Sequence, residues 1–212
     1  MSTFADMYLS EPDSTIYIIG SGKTMDYIRP DFFWDKVIIG VNYSAVKLPC
    51  LFAYHVSNHH DDANNIATMQ PGHAVITSEV EQVPPNDTTN AVITQPNVVR
   101  VPTTDQRYAA FDPENDWVND RLLLGPSSAT LAMSLAYWLG AQSIVLCGVD
   151  CGAIDGADRF DGYEVPDGQL VYGVWQKALD DMANAIRARG VGVYSMNPWT
   201  TLALEGHKFH GA

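Results

Sequence analysis

Ile16-Tyr17-Ile18-Ile19-Gly20-Ser21-Gly22-Lys23 carries an apolar run into a Gly-x-Gly turn, and a helix-compatible stretch, residues 24–28, follows directly. A second turn, Gly125-Pro126-Ser127-Ser128-Ala129-Thr130, opens an amphipathic run over 131–139, after which 143–148 reads as another strand. A strand, a tight turn and a helix start put backbone N–H groups and the positive end of a helix dipole at one point, which suits a phosphate. The two turns together therefore read as a nucleotide-handling domain.

Outward from these turns the chain alternates strands and helices. Apolar runs at 15–19, 36–41, 50–56, 74–77, 98–101, 143–148 and 192–195 have the unbroken hydrophobicity of strands buried on both faces. Helical spacing marks 24–28, 61–69, 127–139 and 174–189, with Ser127 or Ser128 as a cap and Gly140 and Gly190 as stops. The pattern predicts an α/β fold, doubly wound, with a mostly parallel sheet and helices on both faces, Rossmann-like. At 212 residues the chain suits a single such domain, 1–212. Residues 80–95 and 103–120, rich in Pro, Asn and Asp, read as irregular excursions from the sheet, and 151–173 as a lid.

Composition excludes several classes. Asp and Glu number 25 against 12 Lys and Arg, giving −13, with no basic cluster, so nucleic acid is not the expected ligand. No apolar run approaches the ~20 residues of a membrane span. Residues 1–13 lack the pattern of a secretion signal, and Cys50, Cys147 and Cys151 are too few and scattered for a disulfide framework. A cytoplasmic location is the expectation. Trp117, Trp138, Trp175 and Trp199 would supply apolar surface for a homo-oligomer wherever they lie outside the core.

Ligands of doubly wound folds sit beyond the carboxyl ends of the strands, and the candidate residues lie there. Gly20, Ser21 and Gly22 form the first turn; Met25 stands where a dinucleotide fingerprint needs its third glycine, and Lys23 lies outside any Walker pattern. Asn42 follows the second strand, where a ribose or base would lie. His55, Asn58, His59, His60, Asp61 and Asp62 follow the third; adjacent histidines converge poorly on one ion, so a helix entry or a substrate-facing Asn or His is the reading, and no metal is assigned. Ser127, Ser128 and Thr130 start the best-signalled helix. Asp150 ends a strand, and beyond it Asp155, Asp158, Asp161, Tyr163, Asp167 and Tyr172 could hold Mg²⁺, hold a sugar or solvate a lid; their spacing is not that of an EF-hand.

Gly20-Ser21-Gly22, Val41-Asn42, the run from Ser127-Ser128 to Gly148-Val149-Asp150, and Val193-Tyr194-Ser195-Met196-Asn197-Pro198 together resemble two related groups. One is the bacterial sialyltransferases of lipooligosaccharide synthesis. The other shares the domain of archaeal 6-hydroxymethylpterin diphosphokinases and of motility accessory factors that glycosylate flagellin; similar reading frames occur in bacteriophages. The resemblance implies that Gly20, Asn42, Ser127 and Ser128 surround a cytidine nucleotide, and that Tyr163 and Tyr172 stand for the tyrosines that stabilise the leaving phosphate. The chain departs from the sialyltransferase pattern at the base histidine, for which 170–176 offers no counterpart. The expected function is transfer from a nucleotide-activated donor, a CMP- or UDP-sugar, to a small-molecule or glycan acceptor, with Asp150, His59 and His60 as candidate bases. Two alternatives stay open: a diphosphokinase using ATP and Mg²⁺ held by Asp150 and Asp155, and a non-catalytic nucleotide-binding or assembly protein.

Overall fold

The computed structural model describes residues 4–48, 52–79, 92–104, 112–113, 120–163, 172–198, 200 and 202. Seven strands, β1 (Thr15–Ile19), β2 (Val37–Val41), β3 (Tyr54–Val56), β4 (Ala74–Ser78), β5 (Val98–Val101), β6 (Ser143–Cys147) and β7 (Gly192–Ser195), form one sheet ordered β5-β4-β3-β2-β1-β6-β7. Every pairing is parallel. Three α-helices are described: α1 (His60–Met69), α2 (Ser128–Trp138) and α3 (Tyr172–Ala188). From β1 the chain builds through β2 to β5, then crosses back to place β6 on the other side of β1. The strand order therefore reverses between β1 and β6, the crevice where such sheets take ligands.

Alternation along the strands fills both layers. Ile16 and Ile18 of β1, Ile39 and Val41 of β2, and Ile144 and Leu146 of β6 pack toward α2 and α3. Ile19, Ile38, Val145 and Cys147 pack on the opposite face with Met25, Phe33 and Phe160. Because both faces are covered, these strands carry continuous apolar sequence.

Helix α2 crosses the centre of the sheet, touching β1, β2, β3 and β6, and is buried continuously from Ser128 to Ala136. Its sequence is apolar nearly all round because α3 covers its outer side with Leu179, Met182 and Ile186. The N-terminal segment closes its far end. Phe4 stacks on Trp138 with ring centres 4.5 Å apart, and the N–H groups of Leu9, Glu11 and Asp13 donate to the carbonyls of Trp138, Leu139 and Gly140. Gly140, at φ +94°, makes the turn a C′ glycine is suited to.

Two local expectations change. Residues 24–28 form a 3₁₀ turn, Lys23–Tyr27, instead of an α-helix; Pro30 holds the preceding Arg29 extended, at ψ 134°, so no further helical turn can be added. The third strand is shorter than 50–56, and residues 49–51, including Cys50, lie outside the described residues, as do most of the excursions over 80–95 and 103–120, Trp117 and Trp199. Leu122, Leu123 and Leu124 line the core beside β5, with Leu122 N–H donating to the Pro102 carbonyl and Thr104 N–H to the Leu122 carbonyl. Among the described residues no helix is long and apolar enough to cross a membrane.

Candidate functional site

The loops after β1 and β6 are fastened to each other at the crevice. Gly20 N–H donates to the Cys147 carbonyl at 2.8 Å, and Gly22 N–H to the Gly148 carbonyl at 2.6 Å. A Cβ on Gly20 would sit 2.4 Å from the Gly148 oxygen, and one on Gly22 2.5 Å from an Asp150 oxygen, so both glycines are fixed by close approach. Asp150 completes the join. Its carboxylate accepts Thr24 N–H at 2.8 Å, the Thr24 hydroxyl at 2.5 Å and the Asn197 amide at 3.1 Å, tying the ends of β1, β6 and β7 together. Burial pushes the Asp150 carboxyl above the usual range, against the lowering pull of these hydrogen bonds.

This geometry redistributes the expected anion donors. On the first turn the amides of Gly20, Gly22, Thr24 and Met25 are spent on protein acceptors. Among the described residues, Ser21 N–H and Lys23 N–H have none. The second turn is built as expected of a helix start: Ser127 caps α2, its hydroxyl accepting Thr130 N–H and its own N–H donating to the Thr130 hydroxyl, each at 3.3 Å. The reciprocal box pins the first turn of α2 and leaves Ser128 N–H and Ala129 N–H without an acceptor among the described residues.

The α2 start also meets the end of β3. Asn58 N–H donates to the Ser128 hydroxyl at 3.0 Å across 70 residues of sequence, both residues being buried. Asn42 leaves β2 with φ +51°, a conformation Asn tolerates better than most residues, and its side-chain oxygen is enclosed without a hydrogen-bond partner among the described residues. As β2 lies between β1 and β3, Asn42 stands between the Gly20 turn and the Asn58–Ser128 contact, along one edge of the sheet.

The histidines divide. His60 is buried and its Nε2 lies 2.9 Å from the Ser78 carbonyl, which ties α1 to the end of β4. His59 precedes α1, half-buried, its ring without a partner among the described residues. His55 faces the other way, packed on Phe52 and near His73, fully buried with neither ring nitrogen hydrogen-bonded among the described residues. Burial lowers its pKa to about 4, so it is neutral at pH 7.

The acidic loop after β6 is strapped down on the crevice. Phe160 is buried in the core and its N–H donates to the Ser21 carbonyl at 3.0 Å. Lys23 pairs with Asp161 at 2.7 Å and Asp26 at 2.9 Å, Lys47 pairs with Asp26, and Tyr27 donates to Asp155. Both lysines are thus neutralised locally. Tyr172, at the start of α3, donates to Asp158 at 2.7 Å and accepts from Arg159 at 3.1 Å, and burial pushes its hydroxyl up to about 12. Tyr163 packs edge-on against Phe160 and under the Arg159 guanidinium. Asp167 and the rest of 164–171 lie outside the described residues.

No protein-family model and no curated protein sequence matches the chain. Its fold recurs in the MAf glycosyltransferase from Magnetospirillum magneticum AMB-1, with TM-score 0.57 and 17% identity over 89% of this chain. The shared property is the fold. The match takes in 32% of that larger protein, so this chain spans about a third of its length. Weaker likenesses reach the sialyltransferase CST-II in complex with a trisaccharide acceptor and CMP, at TM-score 0.44 and 14% identity over 89% of this chain and 83% of that one. CstII from Campylobacter jejuni with cytidine-5'-monophosphate gives 0.42 and 13%, over 91% and 83%.

Of the sequence candidates, Gly20, Ser21, Gly22, Asn42, Asn58, Ser127, Ser128, Thr130 and Asp150 share the carboxyl edge of the sheet. Tyr163 and Tyr172 belong to the strapped loop and its anchor. Thr24 and Asn197, which hold Asp150, had drawn no role from sequence; the signal for Asn197 was its place after the last strand, in Ser195-Met196-Asn197-Pro198. Among the described residues no group of three His, Cys, Asp or Glu side chains could hold a metal ion. Among the described residues, one open cavity of about 440 Å³ lies between the β1–β2 connection and Met196, and another of about 550 Å³ lies at the opposite edge, lined by Tyr54, His73 and Asn97.

Proposed function

We propose that this chain is a glycosyltransferase-like domain that binds a nucleotide-activated sugar along the carboxyl edge of its sheet. The reading rests on one observation above all: the capped start of α2, with two N–H groups uncommitted among the described residues, is locked to the end of β3 beside Asn42 and the Gly20 turn. A helix start presents partial positive charge without a cation, and the two nearby lysines are already neutralised by carboxylates. Such a site fits the phosphate of a nucleotide donor, with Asn42 toward the nucleoside. The same dipole end would stabilise the phosphate as it leaves.

The acceptor hydroxyl needs a base. Asp150 is occupied by three donors and His60 by a carbonyl, which leaves His59, of these three candidate bases, with its ring uncommitted among the described residues. Binding is tested by thermal shift with CMP, UDP, GDP and ATP, each with and without Mg²⁺. A rise with CMP or UDP that ignores Mg²⁺ is expected. A rise only with ATP and Mg²⁺ would favour diphosphate transfer, and no response to any of them would overturn the reading.

A further inference from the structure

Tyr27, Ile28, Arg29, Asp31, Phe32 and Met196 line the shallow cavity of about 440 Å³, which is open to solvent along most of its length. None of the roles discussed above uses it. We infer that this cavity is a saccharide subsite, a place where sugar units of a glycan acceptor lie beside the carboxyl edge. The identification of that glycan as an acceptor rests on the glycosyl-transfer reading; the capacity to bind saccharide does not.

Three observations carry the assignment. The first is exposed aromatic surface: Tyr27, 49% exposed, and Phe32, 38% exposed, both line the cavity, and the 3₁₀ turn that carries Phe32 holds the next aromatic, Phe33, in the core. Apolar surface gathered around a hollow marks a binding site, and flat rings match the C–H faces of pyranoses, which stay partly wet when bound. The second is polar chemistry at the mouth. Arg29 donates through Nε to one Asp31 oxygen at 3.1 Å and through Nη2 to the other at 2.5 Å, a neutral pair with donors and lone pairs to spare. A neutral pair of planar groups favours vicinal hydroxyls over an anion or a cation. The third is continuity. Tyr27 donates to Asp155 of the strapped loop, and Met196 precedes Asn197, which holds Asp150. The cavity thus adjoins the edge through two of its walls, as the far end of an extended acceptor requires.

The test is isothermal titration of the full chain with lactose, N-acetyllactosamine and maltotriose, alongside Tyr27→Ala, Phe32→Ala, Arg29→Ala and, as a control, Tyr194→Ala, an aromatic 37% exposed and outside the cavity. Because Tyr27 and Phe32 are substantially exposed, these variants should fold, which thermal melting verifies. At least one saccharide is expected to bind, with affinity falling about tenfold in Tyr27→Ala and Phe32→Ala and unchanged in Tyr194→Ala. Absence of saccharide binding, or equal binding by all variants, would overturn the inference. The nucleotide thermal shift is measured in parallel: its loss with saccharide binding intact would sink the donor reading alone.

Discussion

Asp150→Ala separates a stitch from a base. In the native protein the carboxylate is 8% exposed and receives Thr24 N–H, the Thr24 hydroxyl and the Asn197 amide. Truncation strands two buried N–H donors, while the hydroxyl can turn to another acceptor. Each stranded donor costs about 1–3 kcal/mol, and relief of the burial penalty that raises this carboxyl returns part of it. A net loss of about 2–4 kcal/mol follows, a fall in melting temperature of roughly 4–16 °C for a chain of this size. Asp150→Asn keeps an acceptor and removes the charge, so its loss should stay near ~1 kcal/mol. The pH dependence gives a second readout. As the folded pKa is raised, the native state takes up its proton first, and stability is gained as pH falls from above that pKa toward the ordinary aspartate value. Wild type should therefore gain on Asp150→Asn during acidification from pH 7 toward about 4. Urea unfolding across that range supplies both numbers. An Asp150→Ala protein that melts with wild type would refute the reasoning.

Other perturbations probe the remaining parts. His55, buried and held neutral down to about pH 4 against an ordinary 6.5, should cost the native state about 3 kcal/mol as pH falls through that window, since the unfolded chain protonates first; His55→Leu should flatten this acid limb in urea titrations, and an unchanged slope would contradict it. Phe160→Ala empties the anchor of the acidic loop and should cost about 3–5 kcal/mol, with proteolytic cleavage gained within 151–163; resistance equal to wild type would show that the ionic contacts suffice. His59→Gln should lower transfer or donor hydrolysis about 10²–10⁴-fold while the nucleotide thermal shift persists; full activity would remove His59 from the mechanism.

The central strand β1 was readable because burial on both faces writes an apolar run without interruption, 15–19; the runs 98–101 and 192–195 coincide with the edge strands β5 and β7, where Arg100 and Tyr194 are exposed. The start of α2 was equally legible, since Ser127 or Ser128 offers a cap whose contacts are local; the structure assigns the cap to Ser127, in a box with Thr130. What joined the site was not. Thr24 meets Asp150 across 126 residues, and Asn58 meets Ser128 across 70, contacts set by strand order and by no periodicity. The Gly20 turn shows the same limit from the other side. Its glycines signal a close approach, yet the group approached is the Gly148 carbonyl and the Asp150 carboxylate, which consumes amides that a strand-turn-helix pattern alone would assign to a ligand.

The central claim is that the start of α2, with the neighbouring strand ends, grips the phosphate of a nucleotide. Titration of the ¹⁵N-labelled chain with CMP and UDP, followed through amide resonances, addresses it residue by residue. The largest shifts are expected at Ser128 and Ala129, with Ser21, Asn42 and Asn58 next, and they should be lost in Ser128→Pro. Saturable shifts confined to the opposite edge of the sheet, around His73 and Asn97, or none at millimolar nucleotide, would contradict it.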